Sequence, residues 1–313
     1  MTTLSSLVVC CTILANAFAS APGCWRDSNC SYGPSGPSFN GTWDKYNYSP
    51  ADRTVSPITI YSTDFDEISS FPPASPVTLS GNGSTLIFDF GQEVAGIITV
   101  AYSAQGSGSL GLAFSETRNW TGQWSDSSNS FNTVDGAIYA TIASTSSDTY
   151  TVPDAKLRGG FRYLTLFTTT SSTISLSISD ITLEISYAPT WSDLRAYGGY
   201  FYSSDDLLNR IWYAGAYTLQ TTSIPATTGR EYPVQSAGWA NDADLNPGAI
   251  DPTIYVDGAK RDRIVWAGDL SIAVPSILAG TGDWNGVRYT IDVLYNAQVS
   301  LLYPSHTEVA NRA

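Results

Sequence analysis

The sequence predicts a β domain followed by α-helical hairpins. Residues 57–188 are a series of short β-branched and aromatic runs, several alternating with Ser or Thr at period two. Near residue 203 the apolar spacing changes to helical. The chain has 313 residues, 42% of them hydrophobic, which is enough for about two domains with real cores.

From the N-terminus, residues 1–19 read as a secretory signal peptide. "LSSLVVCCTILANAFA" is an apolar run ending in Ala17-Phe18-Ala19, a small-x-small cleavage pattern. The run is short of the roughly 20 apolar residues a membrane span needs. The expected location is therefore extracellular. Cleavage removes Cys10 and Cys11, leaving Cys24 and Cys30 to form a disulfide in an oxidising compartment. Five N-x-S/T triplets, at Asn29, Asn40, Asn47, Asn82 and Asn119, agree with secretion and mark expected glycosylation sites.

Residues 20–56 are rich in Pro, Gly, Ser, Asn and aromatics and read as an irregular leader pinned by the disulfide. The β domain, 57–188, holds "SPITIYST", "SPVTLSG", "STLIFDFG", "AGIITVAYSAQ", "GSLGLAFSE", "AIYATIAS", "RYLTLFTTT" and "ISLSISDITLEISYA". Turns such as "GNGS", "AQGSGS" and "TSSDT" separate them, the spacing of an antiparallel β-sandwich. Residues 189–202 read as a linker.

"SSDDLLNRIWYAGAYTLQ" then offers a Ser N-cap, an acidic first turn, and Leu208, Ile211, Trp212 and Leu219 on one face. "AGDLSIAVPSILAG" is helix-like, with Pro275 expected to kink or shorten it. A third helix starts at about Trp284. The last stretch, 299–313, departs from this pattern and contains the only histidine, His306.

Composition restricts the chemistry. A net charge of −13 and a pI of about 4.3 make nucleic acid or anionic lipid poor partners. One histidine excludes a His-rich zinc site and leaves only His306 for a Ser-His-Asp triad. Carboxylates remain, with no cofactor or metal implied.

The carboxylates concentrate in "YVDGAKRDRIVWAGDL", residues 255–270, within a chain only 14% charged. Asp257, Asp262 and Asp269 are too irregularly spaced for one helix face, so a loop entering a helix is the way to converge them. Most such clusters are solvated ion pairs worth little. Here Trp266 is interleaved, and an indole beside carboxylates suits the apolar face of a sugar ring.

"DGAKRDRIVWAGD" resembles the active-site loop of glycoside hydrolase family 78, the α-L-rhamnosidases. "FDFGQEVAGIITV" (88–100) resembles the family's "DFGQ…AG" strand pair. "GGFRYLTL" (159–166) resembles its "GFRY" strand, and "YFYSSDDLLNRIWYAGAYTL" (200–219) its entry helix. The four occur in the family's order over residues 57 to about 298.

The resemblance implies a β-sandwich followed by a six-hairpin (α/α) barrel whose N-terminal part is 203–298. It also implies an inverting hydrolase releasing terminal L-rhamnose from plant glycosides or polysaccharides. Position by position, Asp262 falls at the general acid, where the family more often has Glu. Asp257, Arg261 and Asp269 fall at residues that bind the rhamnose hydroxyls, and Trp266 at the residue lining the sugar pocket. A general acid must hold its proton near working pH, so Arg261 and Arg263 must point away from Asp262.

A twelve-helix barrel needs on the order of 200 residues. Ser203 to Ala313 is about half of that and carries signals for about three helices, so the barrel is expected to be incomplete here. Glu231 precedes the acid loop and Glu308 lies in the tail, so neither matches the family's base. The base is expected to be absent and this chain inactive alone. The competing reading is a noncatalytic secreted sugar-binding β-sandwich, with Trp120 and Trp124 as its platform.

Overall fold

The computed structural model describes residues 23–26, 28–128, 135–143, 146–230, 241–245 and 253–302. The signal peptide, Glu231, His306 and Glu308 lie outside the described residues. The order is β1 (Thr54–Val55), β2 (Thr59–Tyr61), β3 (Glu67–Ser70), β4 (Val77–Ser80), β5 (Thr85–Gly106), β6 (Gly108–Ser115), β7 (Ile138–Ile142), β8 (Ser146–Thr151), β9 (Arg158–Thr169) and β10 (Ile174–Ile185). Then come α1 (Asp206–Thr221), β11 (Ser223–Pro225), β12 (Thr253–Tyr255), α2 (Ala267–Gly280) and α3 (Trp284–Leu302). The chain is thus mostly antiparallel β, followed by a few helices.

The expected separate strands at 84–91 and 95–105 are one bent strand, β5, of 22 residues. Its first part pairs β2 and β9, with Phe88 opposite both Ile60 and Leu164. Its last part pairs β8 and β10, with Val100 opposite Tyr150 and Ile181. One long strand thus joins both sets of partners into a single ten-stranded antiparallel sheet, where two separate sandwich sheets were expected. The register with β9 breaks between Asp89 and Val94 and again before Gly96. At Gly96 a Cβ would sit 1.9 Å from the Glu184 carbonyl oxygen, so only glycine lets the strands approach there. Buried residues of the sheet, including Phe88, Leu112, Phe114, Leu166, Val100, Leu176 and Leu183, form one core.

Two more expectations need correcting. "TSSDT", read as a turn, runs into strand β8, because Ser146–Thr151 finds a ladder on β5. Residues 67–70, not singled out in the sequence, pair with β2 as β3. Polar strands at a sheet edge carry no apolar alternation to reveal them.

The leader is irregular apart from two 3-10 turns and β1, and it is anchored by arginines. Buried Arg53 donates to the carbonyls of Gly23, Ile185, Tyr187, Ala188 and Trp191. Arg195 donates to those of Asp44, Asn47 and Ser49. The Cys24–Cys30 disulfide closes the first loop.

In α1 the N-cap is Asp205, not a serine; its carboxylate accepts the N–H groups of Leu207 and Leu208. The buried face is also not the expected one. Asn209, Tyr213, Ala216, Tyr217 and Gln220 turn inward, while Leu208 and Ile211 are exposed. The reason is polar pairing: Tyr217 Oη meets Tyr187 Oη at 2.9 Å and donates to the Glu93 carbonyl at 2.6 Å. Gln220 donates to the Leu194 carbonyl at 2.7 Å.

Of the two expected effects of Pro275, a kink or a shortening, the shortening does not occur: α2 spans Ala267–Gly280 with Pro275 inside it. β11, β12, α2 and α3 enclose a second small core around Ile254, Tyr255, Leu270, Ile277 and Val287. β12 lies in a stretch the sequence left without a strand; it pairs only β11, three residues long.

Candidate active site

β12 delivers the chain to Asp257. Asp257 and Ile264 then close the loop on themselves: Asp257 N–H donates to the Ile264 carbonyl at 3.0 Å, and Ile264 N–H to Asp257 Oδ1 at 3.1 Å. Inside this closure Asp262 and Arg263 both have positive φ, 61° and 55°. Two consecutive non-glycine residues in the left-handed region are strained, and such strain concentrates where function fixes a side chain.

Arg263 keeps the loop in shape. It is fully buried and donates to the carbonyls of Ala259 and Thr228. Burial, then the charges of Arg230 and Arg158, pull its guanidinium down to about 9. Its guanidinium hydrogens thus go to backbone carbonyls. Arg261, expected to point away from Asp262, does not: its Nη2 is 3.7 Å from Asp262 Oδ2, and its side chain is largely exposed. Asp262 itself is buried.

Asp257, Trp266 and Asp269 line one cup with Leu219, Thr222, Tyr255 and Leu270. Its floor is braced by Tyr255, whose hydroxyl donates to Asp283 Oδ2 at 3.0 Å. Burial, then the charges of Asp262 and Asp269, push the Asp257 carboxyl up to about 6. The cup holds about 50 Å³. That is below the roughly 300 Å³ at which small-molecule pockets begin. Arg261 and Asp262 are not part of this lining. The structure therefore brings three of the five singled-out residues together and places the other two beyond them on the same loop. Asp269 lies in the first turn of α2, whose N-cap is Trp266.

The other side of the loop rests on the sheet. Gly160 N–H donates to the Ala259 carbonyl at 2.8 Å, and a Cβ on Gly159 would meet that oxygen at 2.0 Å. Asp262 N–H donates to the Ser128 carbonyl at 2.9 Å. Lys260 Nζ lies 2.6 Å from Glu116 Oε2 and 3.3 Å from Asp126 Oδ2. Arg158, buried, pairs with Asp126 and Asp135. Glu93 stands in the irregular part of β5; burial first, then Glu116, push its carboxyl up to about 7 against the pull of Lys260.

Sequence reasoning missed Glu93, Glu116, Asp126, Arg158 and Arg230. Two of them had a signal: Glu93 lies inside "FDFGQEVAG" and Arg158 directly precedes "GGFRY". Buried Arg230 donates to Ser128 Oγ at 2.7 Å and carries its backbone N–H to the Arg263 carbonyl.

Of the five N-x-S/T triplets, Asn29, Asn40, Asn82 and Asn119 are exposed. Asn47 is half-buried, and its Nδ2 donates to the Arg195 carbonyl at 3.3 Å. Among the described residues no group of three or more His, Cys, Asp or Glu is arranged to hold a metal, and no helix is long and apolar enough to cross a membrane.

No family model and no curated protein matches the chain. Among solved structures it is similar to a rhamnosidase from Klebsiella oxytoca with rhamnose bound, at 17% identity and a TM-score of 0.51. That match covers 76% of this chain and 43% of the other, so the chain spans less than half of that rhamnosidase. It also matches a GH78 family rhamnosidase of Bacillus sp. GL1 at 20% identity, over 66% of this chain and 17% of that one, with a TM-score of 0.44. An alpha-L-rhamnosidase from Dictyoglumus thermophilum matches at 15% identity, over 77% and 21% of the two chains, with a TM-score of 0.42. The first of these shows a shared fold.

Proposed function

We propose that this chain belongs to glycoside hydrolase family 78 and carries the acid-loop part of an extracellular, inverting α-L-rhamnosidase. The observation that carries the reading is the cup itself. Two carboxylates and an indole line one depression, on a loop whose next buried carboxylate, Asp262, lies just outside it. The fold shared with a rhamnosidase supports the same reading.

In this reading the rhamnose ring lies with its apolar face on Trp266. Asp257 and Asp269 accept hydrogen bonds from its hydroxyls, and exposed Arg261, now 3.7 Å from Asp262, turns from it to donate to one, which frees Asp262 to hold its proton. Asp262 protonates the glycosidic oxygen as the bond breaks, while a second carboxylate activates water on the opposite face. Asp257 and Asp269 remain with the sugar hydroxyls; the water-activating role belongs to neither. The small cup holds one edge of the ring. The substrate is a rhamnose-bearing glycoside.

The test is rhamnose release from 4-nitrophenyl α-L-rhamnoside by the complete enzyme that carries this loop, with the first-formed anomer read by NMR. The reading requires β-L-rhamnose first and loss of release in Asp262→Asn. α-L-Rhamnose first would refute inversion. Rhamnose binding without release, unchanged in Asp262→Asn, would favour the sugar-binding alternative.

A further inference from the structure

Asn-Gly occurs three times in the chain, at 40–41, 82–83 and 285–286. Such a pair can react with itself. The glycine amide nitrogen, once it has lost its proton, attacks the asparagine Cγ. A C–N bond closes a cyclic imide, and the side-chain nitrogen leaves as ammonia. Water then opens the ring at either carbonyl and leaves aspartate or isoaspartate. Glycine favours the route because it has no Cβ to hinder the approach. The route also needs a glycine N–H that is not held, an asparagine side chain that can turn, and a backbone outside a helix.

Two of the pairs are held. Gly83 N–H donates to the Thr168 carbonyl at 2.7 Å, and Asn82 Oδ1 accepts the Thr170 N–H at 2.9 Å. Asn285 and Gly286 lie in the first turn of α3. Gly286 N–H donates to Asp283 Oδ1 at 2.9 Å, and Asn285 Nδ2 to the Tyr32 carbonyl at 3.0 Å. These bonds must open before the imide can close, so folding slows both pairs.

Asn40 is different. It is exposed, and among the described residues its side chain has no hydrogen-bond partner. Gly41 is fully extended, at φ −177° and ψ −175°. Its N–H has Asp44 Oδ2 at 3.4 Å, outside the roughly 2.7–3.2 Å of a good bond. Asn40-Gly41-Thr42 is also an N-x-S/T triplet. A glycan on Nδ2 would have to depart with the nitrogen, and its bulk hinders the turn of the side chain. Conversely, aspartate or isoaspartate at 40 offers no amide to a glycan.

We propose that Asn40 is a modification site with two exclusive fates: a glycan or, where the glycan is missing, conversion through the imide to isoaspartate. The proposal is independent of the rhamnosidase reading. Its consequence is local. Isoaspartate routes the main chain through the former side chain and lengthens it by one methylene. Directly beyond lies Gly41, where even a Cβ would meet the Trp43 ring at 2.4 Å, and Trp43 stacks on Tyr200 at 4.3 Å. The Asp44 carbonyl is held by Arg195, so the extra length cannot pass down the leader. It is taken up at Trp43 and loosens the stack on Tyr200.

T42A/S84A removes the triplets at Asn40 and Asn82 and leaves all three Asn-Gly pairs in place. The full chain and this variant are secreted from one host and held at mildly alkaline pH. The three peptides are followed by mass spectrometry, with isoaspartate labelled by an isoaspartyl methyltransferase. In the folded variant Asn40 should be lost about tenfold faster than Asn82 or Asn285, and in guanidinium the three rates should converge. Glycan-bearing parent protein should keep Asn40. Equal rates at the three sites in the folded variant, a stable Asn40, or a difference that persists in guanidinium overturns the structural selection of this site. Loss of Asn40 from glycan-bearing molecules at the variant's rate overturns the exclusivity.

Discussion

Asp257 Oδ1 accepts the Ile264 N–H at 3.1 Å, so one carboxylate both closes the acid loop and lines the cup. Asp257→Asn keeps an oxygen for Ile264 and loses the charge. It should weaken rhamnose binding as well as rate, because hydrogen bonds to a bound sugar exist in the ground state too. Calorimetry with L-rhamnose measures this; unchanged affinity would remove Asp257 from the sugar site.

Asp262→Asn is the clean test of the acid, because Asn tolerates the left-handed conformation recorded there. In the complete enzyme that carries this loop, turnover should fall severely on alkyl rhamnosides and much less on 4-nitrophenyl rhamnoside, whose leaving group needs little protonation. Equal loss on both would assign Asp262 a structural role. Asp262→Ala adds a backbone cost of about 1 kcal/mol and so confuses the two.

The raised carboxyls make stability depend on pH. Glu93 rises from 4.5 to about 7 on folding, so between these values the folded state holds more protons than the unfolded one. Its penalty is absent below about pH 4.5, grows as pH rises, and is complete above about 7. Asp257 adds the same sign between 3.8 and about 6. Glu93→Gln should therefore stabilise the protein more at pH 8 than at pH 4, by about 1–2 kcal/mol after screening by nearby solvent. Urea unfolding at the two pH values measures it, and an equal effect at both would refute the assignment.

Lys260→Met leaves Glu116 and Asp126 without their shared cation. The loop from 257 to 264 should exchange its amide protons faster, with global stability down by about 1–3 kcal/mol. Hydrogen exchange confined to its former rate in that loop would show that the clasp does not hold it.

Asn47 differs from the other N-x-S/T positions because the nitrogen a glycan would occupy already donates to Arg195. Secreted protein should carry glycan at some of Asn29, Asn40, Asn82 and Asn119, and none at Asn47. Glycopeptide mapping decides, and an occupied Asn47 would mean the leader is docked differently.

The gathering of Asp257, Trp266 and Asp269 around one cup was legible because the charges of 255–270 stand out in a charge-poor chain. The strands with apolar alternation were legible for the same kind of reason. What escaped notice was set by tertiary pairing. The inward face of α1 is chosen by Tyr217 and Gln220, whose hydrogen-bond partners are distant in sequence, so the apolar stripe at Leu208 and Ile211 misled. Edge strands β3 and β8 have polar sequences and exist through their neighbours. Glu93, Glu116 and Asp126 meet Lys260 only because the loop lies flat across β9, which no local pattern encodes.

The shared strand β5 also constrains the order of birth. Its partners β9 and β10 end at Thr169 and Ile185, long after β5 has left the ribosome. At 5–20 residues per second, the roughly 80 residues between the end of β5 and the end of β10 take about 4–16 s to appear. For that interval the edges of β5 that β9 and β10 will cover stay open, the condition under which strands pair with the wrong chain. The glycines of β5 and its break in register make it a poor straight template, so the irregularity that lets one strand serve two sets of partners also guards the nascent chain while it waits.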